Sequence, residues 1–180
     1  METEVKIRIT PEELDPIRSH LEKLGALCLA PSQKEENWLF DFSNGALRDA
    51  GCIIRVRVYG KEAFLTFKGP VQDNSHFKKR EEIESNVGNP EEIKKILHRL
   101  GMNVCFKYSK CREIYQLPIN QTYVTVCLDE TPVGIFVEVE GTKLQIEEVT
   151  TRFGWSPDSF MCKSYIEMHK EADQLINSEE

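Results

Sequence analysis

The residues most able to do chemistry are charged ones that recur at every second position. In Met1-Glu2-Thr3-Glu4-Val5-Lys6-Ile7-Arg8-Ile9, a period of two puts Glu2, Glu4, Lys6 and Arg8 on one side of a strand and Val5, Ile7 and Ile9 on the other. Taken alone, the stretch reads as a solvated edge strand. The alternation returns, however, in nearly every later strand-like segment. Seven carboxylates (Glu2, Glu4, Glu82, Glu84, Asp129, Glu138, Glu140) and nine cations (Lys6, Arg8, Arg55, Arg57, Lys68, Lys78, Arg80, Lys110, Arg112) collect on one side of a sheet. That is too many for a surface pattern, and it predicts a closed sheet with a charged interior.

The two sets suit one ligand. Carboxylates without His or Cys are hard oxygen donors that fit Mg²⁺ or Mn²⁺, whose octahedron is completed by water and phosphate oxygens. Arginine forks match phosphate oxygens, and lysines add point charge. Both signs inside one cavity fit a metal–polyphosphate, and without such a partner or internal pairing they are costly to bury. Pairs such as Arg80 with Glu82 or Glu84 have the alternative of merely neutralising each other. The chain has no Gly-x-x-x-x-Gly-Lys-Ser/Thr phosphate loop, no Gly-x-Gly-x-x-Gly, and no plausible Ser-His-Asp or Cys-His constellation. A phosphate site must therefore be built from side chains.

The elements that position these residues follow from patterning. Thr10-Pro11-Glu12-Glu13 starts a helix with apolar Leu14, Ile17, Leu21 and Leu24, closed by Gly25. A strand is expected over Asn37–Phe42, then a hairpin of Cys52–Tyr59 and Ala63–Lys68 turning at Gly60-Lys61. Lys78–Glu84 reads as a strand after the loop-like stretch Val71–Phe77. Asn89-Pro90-Glu91-Glu92 caps a second helix carrying Ile93, Ile96, Leu97 and Leu100. Strands follow at Val104–Leu117, Tyr123–Asp129 and Ile135–Glu140, then helices over Leu144–Phe153 and from Ser164 to about Ile176.

At 180 residues and 20.8 kDa, one domain over 1–180 is the simplest organisation. A net charge of −7 argues against nonspecific nucleic-acid binding. No apolar run reaches membrane-helix length and no apolar signal region opens the chain, so no membrane partner and a cytoplasmic location are expected. Six scattered cysteines without a Cys-x-x-Cys pair read as reduced small hydrophobes, and the four histidines show no zinc-ligand spacing.

Taken together, Glu2-x-Glu4-x-Lys6, Arg55-x-Arg57, Lys68-Gly69-Pro70, Arg80-x-Glu82-x-Glu84, Lys110-x-Arg112, Asp129 and Gly134-x-Phe136-x-Glu138-x-Glu140 resemble the CYTH, or triphosphate tunnel metalloenzyme, superfamily over residues 2 to 168. The arrangement is most similar to its class IV adenylyl cyclase-like branch. The resemblance implies an α+β fold: an eight-stranded antiparallel closed barrel whose tunnel holds a triphosphate, with helices packed outside. It implies Glu2, Glu4, Asp129, Glu138 and Glu140 as Mg²⁺ or Mn²⁺ ligands. Lys6, Arg8, Arg55, Arg57, Lys68, Arg80, Lys110, Arg112 and Lys163 become phosphate binders, and Glu2, Glu4, Lys6 and Glu138 the catalytic set. Val71–Phe77 becomes a lid, and Trp38 and Phe40 outer packing. The expected partner is a triphosphate-containing small molecule, in a monomer or a homodimer. The leading expectation is a triphosphatase acting on tripolyphosphate or a nucleoside or thiamine triphosphate. The alternatives are an adenylyl cyclase making cyclic AMP and a noncatalytic polyphosphate-binding module.

Overall fold

The computed structural model describes residues 1–72, 77–161 and 163–178, without the side chains of Glu2 and of residues beyond 172. Strand β1 (Glu2–Ile9) has partners on both edges. One edge pairs antiparallel with β9 (Gly134–Glu140); the other pairs with β5 (Lys78–Arg80) and with the two-residue β10 (Phe160–Met161). From β9 the sheet runs through β8 (Thr122–Thr131), β7 (Met102–Ile119), β2 (Leu27–Phe42), β3 (Ile53–Tyr59) and β4 (Glu62–Lys68) to β6 (Glu82–Asn86).

The expected single strand over Lys78–Glu84 is broken at Glu81. Its second half, β6, stays on β4, while its first half, β5, crosses to β1 and brings the ring of strands together. The Glu81 carbonyl is held by the Gly69 amide at 2.9 Å, so the break is anchored to the strand it leaves. With β5 and β6 counted as one interrupted course, and β10 set aside, eight antiparallel strands surround the interior. Two-residue turns make the tight hairpins: Gly60, at φ +58°, joins β3 to β4, and Asn120, at φ +54°, joins β7 to β8.

Helices cover part of the outside. Helix α1 (Pro11–Lys23) begins at Thr10, whose amide donates to the Glu13 carboxylate at 2.7 Å. Its Leu14, Ile17 and Leu21 pack on the outward Val5, Ile7 and Ile9 of β1, together with Ile146 and Val149 of α4 (Lys143–Phe153). Leu21, Ile146 and Val149 are fully buried, each worth about 1.5–3 kcal/mol relative to exposure. A short helix, α2 (Ala46–Asp49), follows β2, its amides at Leu47 and Arg48 bonded to the Asp41 carboxylate. Asn89 caps α3 (Pro90–Arg99), which lays Ile93 and Leu97 on Trp38, Phe40 and Val56. Trp38 and Phe40 therefore pack outside the barrel. The last helix, α5 (Tyr165–Ser178), starts inside one end of it. Among the described residues no helix is long and apolar enough to cross a membrane, and the five described cysteines are free.

The N-terminal half of β2 differs most from the sequence expectation. The strand begins at Leu27, ten residues ahead of Asn37, because the long β7 offers a partner along its whole length. The charged run Gln33-Lys34-Glu35-Glu36 is thus strand, and Glu35 and Asn37 point inward.

Candidate active site

Strand parity decides what faces the interior. Even positions of β1, β5, β6, β7 and β9 and odd positions of β2 and β3 turn inward, leaving the aliphatic set to the outer core. The result is a cavity of about 500 Å³ whose wall carries eight cations and five carboxylates. The cations are Lys6, Arg55, Arg57, Lys68, Lys78, Arg80, Lys110 and Arg112; the carboxylates are Glu4, Glu82, Glu84, Glu138 and Glu140.

These groups pair in two clusters. In the first, Lys6 meets Glu138 at 3.0 Å, Arg112 bonds both Glu138 and Asp129, Lys110 meets Asp129 at 2.8 Å, and Lys78 meets Glu4 at 3.3 Å. In the second, Arg57 donates to Glu84 at 2.7 Å and Arg55 at 3.4 Å, while Lys68 meets Glu82 at 2.7 Å. Burial pushes the Glu138 carboxyl up, yet Lys6, Arg112 and Lys110 hold it well below the usual carboxylate range. Burial lowers Lys78, a shift that Glu4 only partly offsets.

The pairing leaves donors over. Arg55 Nε, Arg57 Nε and Arg80 Nη1 are buried without a hydrogen-bond partner. Arg80 is 6 % exposed and has no ion pair among the described residues. Buried guanidinium N–H groups left unpaired are costly, and they are the donors an oxyanion would use.

Two inward residues were not among the sequence candidates. Glu35, 1 % exposed, lies 3.6 Å from Lys110 and 3.7 Å from Arg57 and accepts from Asn37 Nδ2 at 2.9 Å. Burial pushes its carboxyl up, and Lys110, Arg112, Arg55 and Arg57 outweigh that and hold it far down. The other is Tyr165, whose hydroxyl donates to Asp129 at 2.7 Å and whose ring lies under the Lys6 and Lys110 ammoniums, at 4.2 and 4.7 Å from its centroid. Strand phase would have found Glu35 had β2 been extended to Leu27. Tyr165 arrives from a helix, so strand phase could not have placed it.

Several sequence candidates stand elsewhere. Asp129 is fully buried beneath the wall, its two oxygens taken by Lys110, Arg112 and Tyr165, so it braces cations rather than facing the cavity. Arg8 is exposed at the barrel end, its guanidinium over the Phe136 ring at 4.9 Å, because β1 has passed the apolar stopper of Phe136, Tyr165 and Met168 by that residue. Lys163 pairs with Glu171 at 2.8 Å and lines an outer cavity instead. The side chain of Glu2 lies outside the described residues. Of the expected lid, residues 73–76 lie outside them too, while Phe77 is buried in the outer core against Phe160.

That outer cavity, about 830 Å³, adjoins the charged one and shares Leu39, Ile53, Lys78, Arg80, Ser164 and Ile166 with it. Phe42, Val71 and Phe106 give it an apolar wall. Phe136, Tyr165 and Met168 pack together where α5 enters the barrel, and Ser164, Ile166, Glu167 and Lys170 of the same stretch line the outer cavity.

Among the described residues no three His, Cys, Asp or Glu side chains already converge as a metal site. The donor set nevertheless fits a hard divalent ion. Glu4 and Glu140 face each other across the β1–β9 register, Glu138 is the next inward residue, and all three are oxygen donors on the cavity wall. Glu140 has no ion-pair or hydrogen-bond partner among the described residues.

The CYTH domain pattern matches residues 1–172. A Methanocaldococcus jannaschii protein, provisionally named an adenylate cyclase, is 26% identical over 176 residues, covering 92% of this chain and 97% of that one. A Pyrococcus horikoshii structure superposes with a TM-score of 0.76 at 27% identity, covering 93% of this chain and 99% of that chain. A Hippeastrum protein, provisionally named an adenylyl cyclase and described as having a dominant triphosphatase activity, gives a TM-score of 0.73 at 16% identity, with 96% of each chain covered. The charged barrel, its strand order and the match along nearly the whole chain agree: this protein belongs to the CYTH-domain family.

Proposed function

We propose that the protein is a metal-dependent triphosphatase that binds a triphosphate in the charged barrel and hydrolyses its terminal anhydride. The observation that carries this reading is the set of buried arginine donors with no partner, Arg55, Arg57 and Arg80, converging on one cavity beside three adjacent carboxylates. Such donors match the non-bridging oxygens of a phosphate chain. Arg55, Arg57, Lys68 and Arg80 bind the chain from one side of the barrel, and Lys6, Lys110 and Arg112 from the other. Glu4, Glu138 and Glu140, joined by Glu2 on the same strand as Glu4, would hold Mg²⁺ or Mn²⁺. The bound ion supplies neutralisation of charge on the phosphoryl oxygens. Water attacks the terminal phosphorus, the anhydride P–O bond breaks, and orthophosphate leaves the shortened chain. The residues contribute position and fixed charge, which is most of what phosphoryl transfer requires of a protein.

A cyclase is the second reading, favoured by the outer cavity that adjoins the charged one, has an apolar wall at Phe42, Val71 and Phe106 and has room for a nucleoside, and by the name of the Methanocaldococcus jannaschii relative. The Hippeastrum description supports hydrolysis. A module that only binds polyphosphate accounts for Glu4 and Glu138 as partners of Lys78, Lys6 and Arg112, but gives no use to the carboxylate of Glu140 beside them. Turnover of tripolyphosphate and ATP, with Mg²⁺ and with Mn²⁺, separates the three by resolving orthophosphate, pyrophosphate and cyclic AMP. Orthophosphate without cyclic AMP is expected; cyclic AMP with equal pyrophosphate overturns hydrolysis in favour of cyclisation. The Glu4→Gln protein is expected to lose turnover more than a hundredfold, and undiminished turnover refutes the metal assignment.

A further inference from the structure

Glu82 and Glu84 stand where a ligand's anions are needed. Glu84 accepts from Arg57 at 2.7 Å, from Arg55 at 3.4 Å and from Thr66 Oγ1 at 2.7 Å, and Glu82 meets Lys68 at 2.7 Å and Arg55 at 3.6 Å. All five charged side chains line the cavity. Their pairing is incomplete, since Arg55 Nε and Arg57 Nε stay buried without partners. Neither carboxylate lies on β1 or β9 with Glu4, Glu138 and Glu140, because both come from β6, which stays paired to β4. Like charges crowded into one cavity repel, so an entering polyanion gains the full bonding capacity of these arginines only as the carboxylates give way.

We propose that Glu82 and Glu84 are internal anions that compete with the ligand for Arg55, Arg57 and Lys68, so that the site admits only ligands with enough negative charge to displace them. This rests on the triphosphate reading above. In the free protein the two carboxylates help to neutralise Arg55, which is buried, and Arg57 and Lys68, which are half-buried. A tripolyphosphate chain carries enough charge to displace them. Orthophosphate, with about two negative charges at neutral pH, does not. As the product chain loses a phosphate, the carboxylates return to the cations and favour release. The pair thus sets a charge threshold and limits product inhibition.

The test is the Glu84→Gln protein, which keeps an acceptor for Thr66 and removes only the charge. Calorimetric binding of inorganic tripolyphosphate and orthophosphate is measured for it and for the wild type. Tripolyphosphate is expected to bind the variant about tenfold more tightly, equivalent to about 1.4 kcal/mol. Orthophosphate inhibition of turnover is expected to strengthen by a larger factor than tripolyphosphate binding, because the weaker competitor gains more. Should Glu84→Gln not fold, Glu82→Gln, which removes the negative charge facing Lys68 and Arg55, carries the same expectation. Unchanged or weaker binding of both anions by a folded variant overturns the proposal, and means that the carboxylates only position the arginines. A wild type that binds neither anion refutes the triphosphate reading itself and the displacement with it.

Discussion

Removing one buried charge tests how the barrel interior is balanced. Glu35→Gln preserves the shape of the side chain and the oxygen that accepts from Asn37, so its effect isolates the charge. Glu35 is 1 % exposed, 3.6 Å from Lys110 and 3.7 Å from Arg57. At an effective dielectric of about 20, each attraction is worth roughly 4–5 kcal/mol before desolvation. Desolvation of the carboxylate removes much of that gain in the wild type, but in the variant Lys110 remains buried and Arg57 half-buried. Breaking a buried pair from one side typically costs about 3–5 kcal/mol; because Asp129 and Glu84 still serve the two cations, we expect about 3 kcal/mol. Urea unfolding followed by circular dichroism reads this directly as a lower midpoint at unchanged slope. The pH dependence has a definite sign. The Glu35 carboxyl is depressed in the folded protein, so its contribution is present above the ordinary carboxylate range and lost as pH falls through the folded value. The wild type should therefore lose stability in acid more steeply than Glu35→Gln, and the two curves should approach each other there. A variant within 1 kcal/mol of the wild type at pH 7, with a parallel acid limb, refutes the view that Glu35 balances the cations of β3 and β7.

Two other results are expected. Tyr165→Phe should cost about 1 kcal/mol in the same unfolding assay, since Asp129 loses the hydroxyl donor but keeps Lys110 and Arg112; a neutral change would mean that the Tyr165 hydroxyl contributes nothing net. Burial pushes the Cys127 thiol up to about 12, despite the nearby Arg112, so iodoacetamide at pH 8 should label exposed Cys28 and Cys111 while sparing Cys127, as read by peptide mass spectrometry.

Much of the barrel was legible because its signal has period two and repeats. Arg55 with Arg57, Lys110 with Arg112, and Glu138 with Glu140 each declare a face locally, and the strands carry them inward in that phase. Three kinds of information were not local. The start of β2 is set by the length of β7, so the inward Glu35 was hidden in a charged run that resembles a loop. Asp129 has the inward parity expected of it, but its burial beneath Lys110, Arg112 and Tyr165 depends on a helix that begins 36 residues downstream. Arg8 shares the parity of Lys6, and only the depth of the apolar stopper separates an interior residue from one at the rim. Phase reads direction; it does not read depth.

The closure of β1 also has a temporal consequence. Its partner β9 lies about 130 positions further along the chain, and β5 about 75. The hairpins β3–β4 and β7–β8 join neighbours across two-residue turns and can form as soon as they are made. During synthesis the edge of β1 that pairs with β9 must wait, unpaired, until nearly the whole barrel has left the ribosome. Its Glu2, Glu4, Lys6 and Arg8 then serve a second purpose, because alternating charge keeps a waiting edge from pairing with other nascent chains. The strand richest in candidate ligands is thereby also the last to be enclosed.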